Sequence, residues 1–158
     1  MPHSKTLQVL NYIIKNHPNV SVTSLMKLSY LVDLVAIKKG KKKIFDFHYI
    51  RYNYGPFDKK IYDYLEEMEK GNILVEGANI SSTGDEFVIY SINKKNNISF
   101  DKISDDEREI IDEVLESLEG YGTKALTELT YRTKPMKKIG ATLKNKTGLN
   151  KVLDLNIQ

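Results

Sequence analysis

Residues 21–40 read SVTSLMKLSYLVDLVAIKKG, and their periodicity decides the class of fold. Leu25, Leu28, Leu31, Val32 and Val35 recur at steps of three and four, one stripe of an α-helix, and Tyr30, Leu34 and Ile37 widen it. So wide a stripe predicts a helix at the centre of the core, starting after Ser21 and stopping near Gly40. Lys38, Lys39, Lys41, Lys42 and Lys43 cluster at its end, where the helix dipole favours cations. The apolar stretch from Leu25 to Ile37 is interrupted by Lys27, Ser29 and Asp33, too short and too polar for a bilayer span.

Upstream, Leu7, Leu10, Ile13 and Ile14 predict a helix from about Lys5 to Asn16, stopped by His17-Pro18-Asn19 because the residue before proline is pushed out of helical geometry. Downstream, Ile44 to Tyr54 carries Phe45, Phe47, Tyr49, Tyr52 and Tyr54 and reads as extended chain or a short strand, with Gly55-Pro56 as a turn. A third helix follows from about Asp58 to Lys70, with Ile61, Leu65 and Met68 on one face and Gly71-Asn72 as its stop. Ile73 to Glu76 and Phe87 to Ile92 form a hairpin pair, and the polar stretch Gly77 to Glu86 between them has room for an irregular third strand.

Ser104 and Glu107 have capping-box spacing at the head of a helix to Glu119 that buries Ile110, Ile111, Val114, Leu115 and Leu118. Gly120 and Gly122 break the chain, Thr123 is placed to cap a short helix carrying Leu126 and Leu129, and Pro135 suits the first turn of a helix over Met136 to Leu143. The last ten residues are weakly apolar and read as a final packed segment or a frayed end. The sum is a mainly α chain with a small β-hairpin (α+β): a compact bundle of five to six helices with a winged-helix-like centre. One domain over residues 1–158 is expected, with 144–158 as a C-terminal segment.

Composition narrows the chemistry. The chain has no cysteine, which excludes disulfides and thiolate metal sites. Met1 to Leu10 shows no apolar run after basic residues, so a cytoplasmic location is expected. The net charge of +3 hides an asymmetry. Nine acidic and two basic residues from Asp101 to Glu119 give −7, and eight basic and two acidic residues from Gly120 to Gln158 give +6. Two solvated faces explain this better than a functional basic patch.

Catalytic signals are missing. His3 lies in a tail, His17 precedes a proline, and His48, among aromatics, reads as a hydrogen-bonded core histidine; none belongs to a metal-ligand pattern. Phosphate-binding glycine loops and a nucleophile elbow are absent from the sequence. No enzyme activity, cofactor or metal is expected.

The densest unusual segment is Tyr49-Ile50-Arg51-Tyr52-Asn53-Tyr54-Gly55-Pro56, whose tyrosines want a hydroxyl partner if buried and make good anchors if exposed. Its Tyr52-Asn53-Tyr54-Gly55-Pro56 part, together with Lys27-Leu28-Ser29-Tyr30-Leu31-Val32-Asp33, the Ile61-Tyr62 helix, Ser104 to Glu119 and the Tyr121 to Thr130 segment, resembles the Panacea domain, also called SocA-like or phage-associated GepA-like, over about residues 5–140. Two positions depart from that pattern: Tyr131 stands where the family usually has histidine, and Met136 follows Pro135 where tryptophan is common. Both keep bulk, so the fold should survive, but no role of the replaced residues carries over.

The resemblance implies a mainly helical fold and an antitoxin that neutralises a cognate toxin, encoded next door, by direct protein contact. In one branch it implies a proteolytic adaptor that delivers the toxin to an ATP-dependent protease. Arg51, Tyr52, Tyr54, Gly55, Pro56 and Lys59 are the candidate partner-binding residues. Lys27, Leu28, Tyr30, Asp33 and Thr130 are read as structural motif residues. The competing reading of Tyr52, Tyr54 and Pro56 is that they pack the third helix on the second. A homo-oligomer is compatible with the sequence, since a self-complementary helix face reads like a core face.

The alternative from another class is a winged-helix DNA-binding regulator, with Asp58 to Lys70 as recognition helix and Ile73 to Ile92 as wing. That helix carries five acidic and three basic residues, −2, and the wing tip Gly84-Asp85-Glu86 is acidic as well, both unfavourable against phosphates. Nucleic acid is therefore the less favoured partner, and a small-molecule enzyme ranks last.

Overall fold

The computed structural model describes residues 3–17, 19–80, 83–84, 86–96 and 98–157. The chain order is α1 (Lys5–Asn16), α2 (Val22–Lys38), β1 (Ile50–Tyr52), β2 (Gly55–Phe57), α3 (Lys60–Lys70), β3 (Leu74–Ile80), β4 (Glu86–Ile92), α4 (Asp105–Ser117), α5 (Thr123–Tyr131) and α6 (Lys134–Lys138). Among the described residues this is an α+β fold of six helices with two antiparallel two-stranded sheets, β1–β2 and β3–β4. Among the described residues no helix is long and apolar enough to cross a membrane.

The helix ends follow local chemistry. Ser4 and Ser21 cap α1 and α2, each accepting from the N–H three residues on, and Ser104 and Glu107 complete the reciprocal capping box of α4. Helix α2 closes in the manner of a Schellman motif, with Lys41 N–H on Ala36 O at 2.9 Å and Gly40 in left-handed geometry at φ 79°. The same closure ends α3, where the left-handed residue is Asn72 at φ 58° and Ile73 N–H reaches Met68 O at 2.8 Å.

Helix α2 is the hub. Leu25, Leu28, Tyr30, Val32 and Ala36 are buried along it, and it packs against α1, α4, α5, β2 and β4. The long hairpin leans back on its start through paired bonds between Val20 and Tyr90, at 3.2 and 2.8 Å. The acidic face of α4 meets lysines of α1 and of the segment just after α2: Lys5 on Glu107, Lys39 on Glu113 and Lys41 on Asp106. The positive end of α2 is thus partly matched within the fold.

Several local expectations change. Strand β3 runs on to Ile80, paired with Glu86, so no irregular third strand is seen in the described part of that loop. Residues 81, 82 and 85 of the loop, including Asp85 of the acidic wing tip, and Pro18 of the stop after α1 lie outside the described residues. Gly122, not Thr123, caps α5, because the Thr123 hydroxyl is held by Ser24 Oγ at 2.9 Å, tying α5 to α2. Helix α6 ends at Lys138 rather than near Leu143, since Gly140 turns left-handed at φ 71°. His48 is exposed, because the chain from Phe45 to Tyr52 alternates in and out and His48 falls on the outer side. Residues 151–153 lie antiparallel beside β1: Arg51 N–H donates to Lys151 O at 2.9 Å, Leu153 N–H to Tyr49 O at 3.0 Å, and Leu153 and Leu155 are buried.

Candidate functional site

The site is built on the short hairpin of β1 and β2, which pairs Ile50 with Phe57, Arg51 with Pro56 and Tyr52 with Gly55. Leading into it, the aromatic segment is held to α2 by one carboxylate. Asp33 accepts from Ile44 N–H at 2.7 Å and Phe45 N–H at 3.2 Å through Oδ1, and from the Tyr49 hydroxyl at 2.8 Å through Oδ2. Burial pushes the Asp33 carboxyl up to about 6 against those hydrogen bonds, which favour its ionised form. Tyr30, one turn back, packs edge-on against Tyr49 at 5.4 Å and shares a 2.7 Å hydrogen bond with the Thr133 hydroxyl. Both the Tyr30 and Asp33 side chains of the helix motif are thus engaged within the fold.

Alternation then divides the hairpin. Arg51 points inward and is only 1% exposed. Its guanidinium donates to the carbonyls of Tyr52, Thr142 (3.0 Å) and Asn145 (2.9 Å) and lies 5.1 Å from the Tyr131 ring centre. Among the described residues no carboxylate pairs with it, and its Nε has no hydrogen-bond partner. Arg51 thus welds the hairpin to the 142–145 loop and to α5 from inside. The structure places it beneath the candidate surface rather than on it.

Gly55 makes the close approach possible. Its φ of 119° suits glycine. A Cβ there would meet Thr130 Oγ1 at 3.3 Å, Lys27 Cε at 3.7 Å and Tyr131 Cε2 at 3.8 Å. Pro56 is buried beside it, while Thr130, fully buried, donates its hydroxyl to Thr127 O at 2.8 Å. Leu28 is fully buried in the core. Tyr131 and Met136, at the positions that depart from the family pattern, are both buried.

The outer side of the hairpin is aromatic. Tyr52 is 43% exposed, Tyr54 70% and Tyr62, from the outer side of α3, 49%. The Tyr52 and Phe57 rings stack at 5.2 Å, and Phe57 leans on Tyr62 at 5.9 Å. Lys146 reaches over the Tyr54 ring at 5.7 Å and donates to Asn53 Oδ1 at 3.2 Å. Lys59, at the head of α3, is exposed. These rings border a cleft of about 240 Å³, closed on its inner side by Thr23, Met26 and Lys27 of α2. The candidates thus divide: Tyr52, Tyr54 and Lys59 face out, Gly55 and Pro56 shape the hairpin, and Arg51 anchors it. Tyr62 and Lys146 join the surface unforeseen. A helical wheel singles out Tyr62, which lies off the Ile61–Leu65–Met68 face, but nothing local points to Lys146.

Among the described residues no group of three or more histidines, aspartates or glutamates is arranged to hold a metal ion. The site is a hairpin buttressed from within by Arg51 and presenting Tyr52 and Tyr54 outward. Residues 25–135 match the family model described as antitoxin SocA-like, Panacea domain, and the chain belongs to that family. Membership supports a toxin–antitoxin role and, in general terms, a toxin partner. No curated protein and no solved structure gave a significant match.

Proposed function

We propose that the chain acts in the cytoplasm as a single-domain antitoxin that neutralises one protein toxin by direct contact, without catalysis, through the outer face of the β1–β2 hairpin. The observation that carries this reading is the cluster of exposed tyrosines Tyr52, Tyr54 and Tyr62 on a hairpin braced from within by Arg51 and Gly55. Tyrosine supplies large contact area at low entropic cost, and it is enriched at interface hot spots.

DNA binding fits less well. Among the charged groups of α3, Lys60 is engaged by Asp46 and Lys70 by Glu66, and Glu69 lies against Glu76 of β3, raised by burial and by that second carboxylate. A helix and wing that share an acidic seam repel phosphates.

The test is to express the product of the adjacent gene with and without this chain, recording growth and co-purification. Growth arrest relieved by the chain, with a stoichiometric complex weakened by Tyr54→Ala and Lys59→Ala, is the expected result. A harmless neighbour with no complex overturns the reading and sends attention to DNA. Toxin lifetime distinguishes mechanisms: shortened only in hosts that carry ATP-dependent proteases, it makes the chain an adaptor; unchanged, a blocker.

A further inference from the structure

We propose that the cleft between the hairpin and α2 is a carboxylate-anchoring site, in which Lys27 receives an acidic side chain of the bound toxin between the rings of Tyr52, Tyr54 and Tyr62. The inference rests on the antitoxin reading and adds the chemistry of the partner.

Lys27 is 2% exposed, yet among the described residues no carboxylate or hydrogen-bond acceptor holds its amine. A buried lysine is normally paired or neutral, because desolvating an ammonium without a partner is costly. Here the side chain lines the cleft, with its Cε packed beside Gly55. Desolvation draws its amine down to about 8, and among the described residues no carboxylate pairs with it to raise it. At neutral pH it is still largely protonated, and a carboxylate entering the cleft would supply the missing counter-charge.

The surroundings share the bias. Arg51 is a second buried cation, held by carbonyls and the Tyr131 ring and, among the described residues, by no carboxylate, and Lys146 overhangs Tyr54 at the rim. Asp58, the carboxylate that follows the hairpin, already accepts from His48 N–H at 2.8 Å and Lys60 N–H at 3.0 Å. Size restricts the occupant too. About 240 Å³ lies below the ~300–1,000 Å³ of small-molecule clefts and suits one inserted side chain. Open tyrosine rings around a buried charge form the shielded centre in which an ion pair counts most.

The first experiment uses the full chain labelled with ¹³C-lysine, its Lys27 Cε resonance assigned by K27M. N-acetyl-glutamate N-methylamide is titrated in, with the glutamine counterpart as neutral control. A saturable shift of Lys27 with the glutamate compound alone, and a rise of its titration midpoint by about one unit, is expected. Equal responses to the two compounds, or none at tens of millimolar, a range that reaches below ~3 kcal/mol of affinity, overturn the site.

The second uses the chain with its toxin. K27M should weaken the complex by roughly 30-fold or more, and one toxin Glu→Gln or Asp→Asn change should match that loss and add little to it. K27Q serves should K27M fail to fold. A complex held within about threefold by K27M but weakened by Y54A removes the anchor and leaves the antitoxin reading standing. If no complex forms with any neighbouring product, that reading fails, and the glutamate titration still decides the anchor.

Discussion

Helix α2 buries one acidic and one basic side chain six residues apart, Asp33 and Lys27, and their surroundings are opposite. Asp33, fully buried, is surrounded by donors: two backbone N–H groups and the Tyr49 hydroxyl. Lys27, 2% exposed, has no acceptor among the described residues. The first site is complete, with each carboxylate oxygen assigned to a group that would otherwise be orphaned in the core. The second is complete only when something from outside enters. Charge buried with its partners holds a fold together, whereas charge buried without them destabilises it and persists where binding needs it.

The sharpest way to break the comparison is to remove the satisfied member. Asp33→Ala leaves three buried donors without an acceptor, at ~1–3 kcal/mol each, so a loss of at least about 3 kcal/mol is expected in urea unfolding. Asp33→Asn keeps Oδ1 for the two N–H groups and turns Nδ2 to the Tyr49 oxygen, and it should cost about 1–2 kcal/mol. If alanine is as benign as asparagine, Asp33 does not hold the aromatic segment.

Lys27→Met should act in the reverse direction. It keeps the stem and removes a desolvated charge, so stability at neutral pH should rise by about 1–3 kcal/mol while toxin binding falls. The pH dependences are mirror images. Lys27 titrates near 8 when folded against 10.5 in the unfolded chain, so between those values the folded state has released a proton that the unfolded state retains. Wild-type stability should therefore climb towards that of K27M as pH rises from about 8 to 10, before tyrosine ionisation intervenes. Asp33, at about 6 folded against 3.8 unfolded, keeps its proton longer in the folded state. Its contribution falls as pH rises from about 4 to 6, a slope that Asp33→Asn should remove. Parallel pH–stability curves for wild type and K27M would mean that the Lys27 amine has found a partner in the free chain.

Gly55 joins the two regions. Alanine there carries a left-handed φ of 119° and presses a methyl on Thr130 Oγ1 at 3.3 Å. A loss of about 1–3 kcal/mol is expected in thermal unfolding. An unchanged melting temperature would show that α5 yields and that the cleft is not held open by this contact.

How much of this was readable from the chain depends on the range of each contact. Ser104 and Glu107 meet across three residues, and the stripe of α2 repeats every turn, so both were legible. Thr123 looked like a cap until Ser24, 99 residues away, took its hydroxyl. Arg51 looked like a surface anchor because the carbonyls that hold it lie 91 and 94 residues further on, in a loop with no motif of its own. Lys27 reads from sequence as one more motif position. Its lack of an acceptor is a property of the assembled fold, since no local pattern records which side chains stay away.

The smallest structural effect belongs to the rim. Tyr54 is 70% exposed and touches the fold mainly through the Lys146 ammonium above its ring, so Tyr54→Ala should leave stability within about 0.5 kcal/mol. The same change should weaken a toxin complex by about tenfold or more, because a solvent-facing ring becomes contact area only when a partner covers it. Isothermal titration beside a melting curve reads both quantities on one preparation. A binding loss without a stability loss places Tyr54 with Lys27, as a group whose energy is realised in the complex. If both are lost together, the ring braces the hairpin as Asp33 braces the segment before it, and the line between the two regions moves outward to the surface.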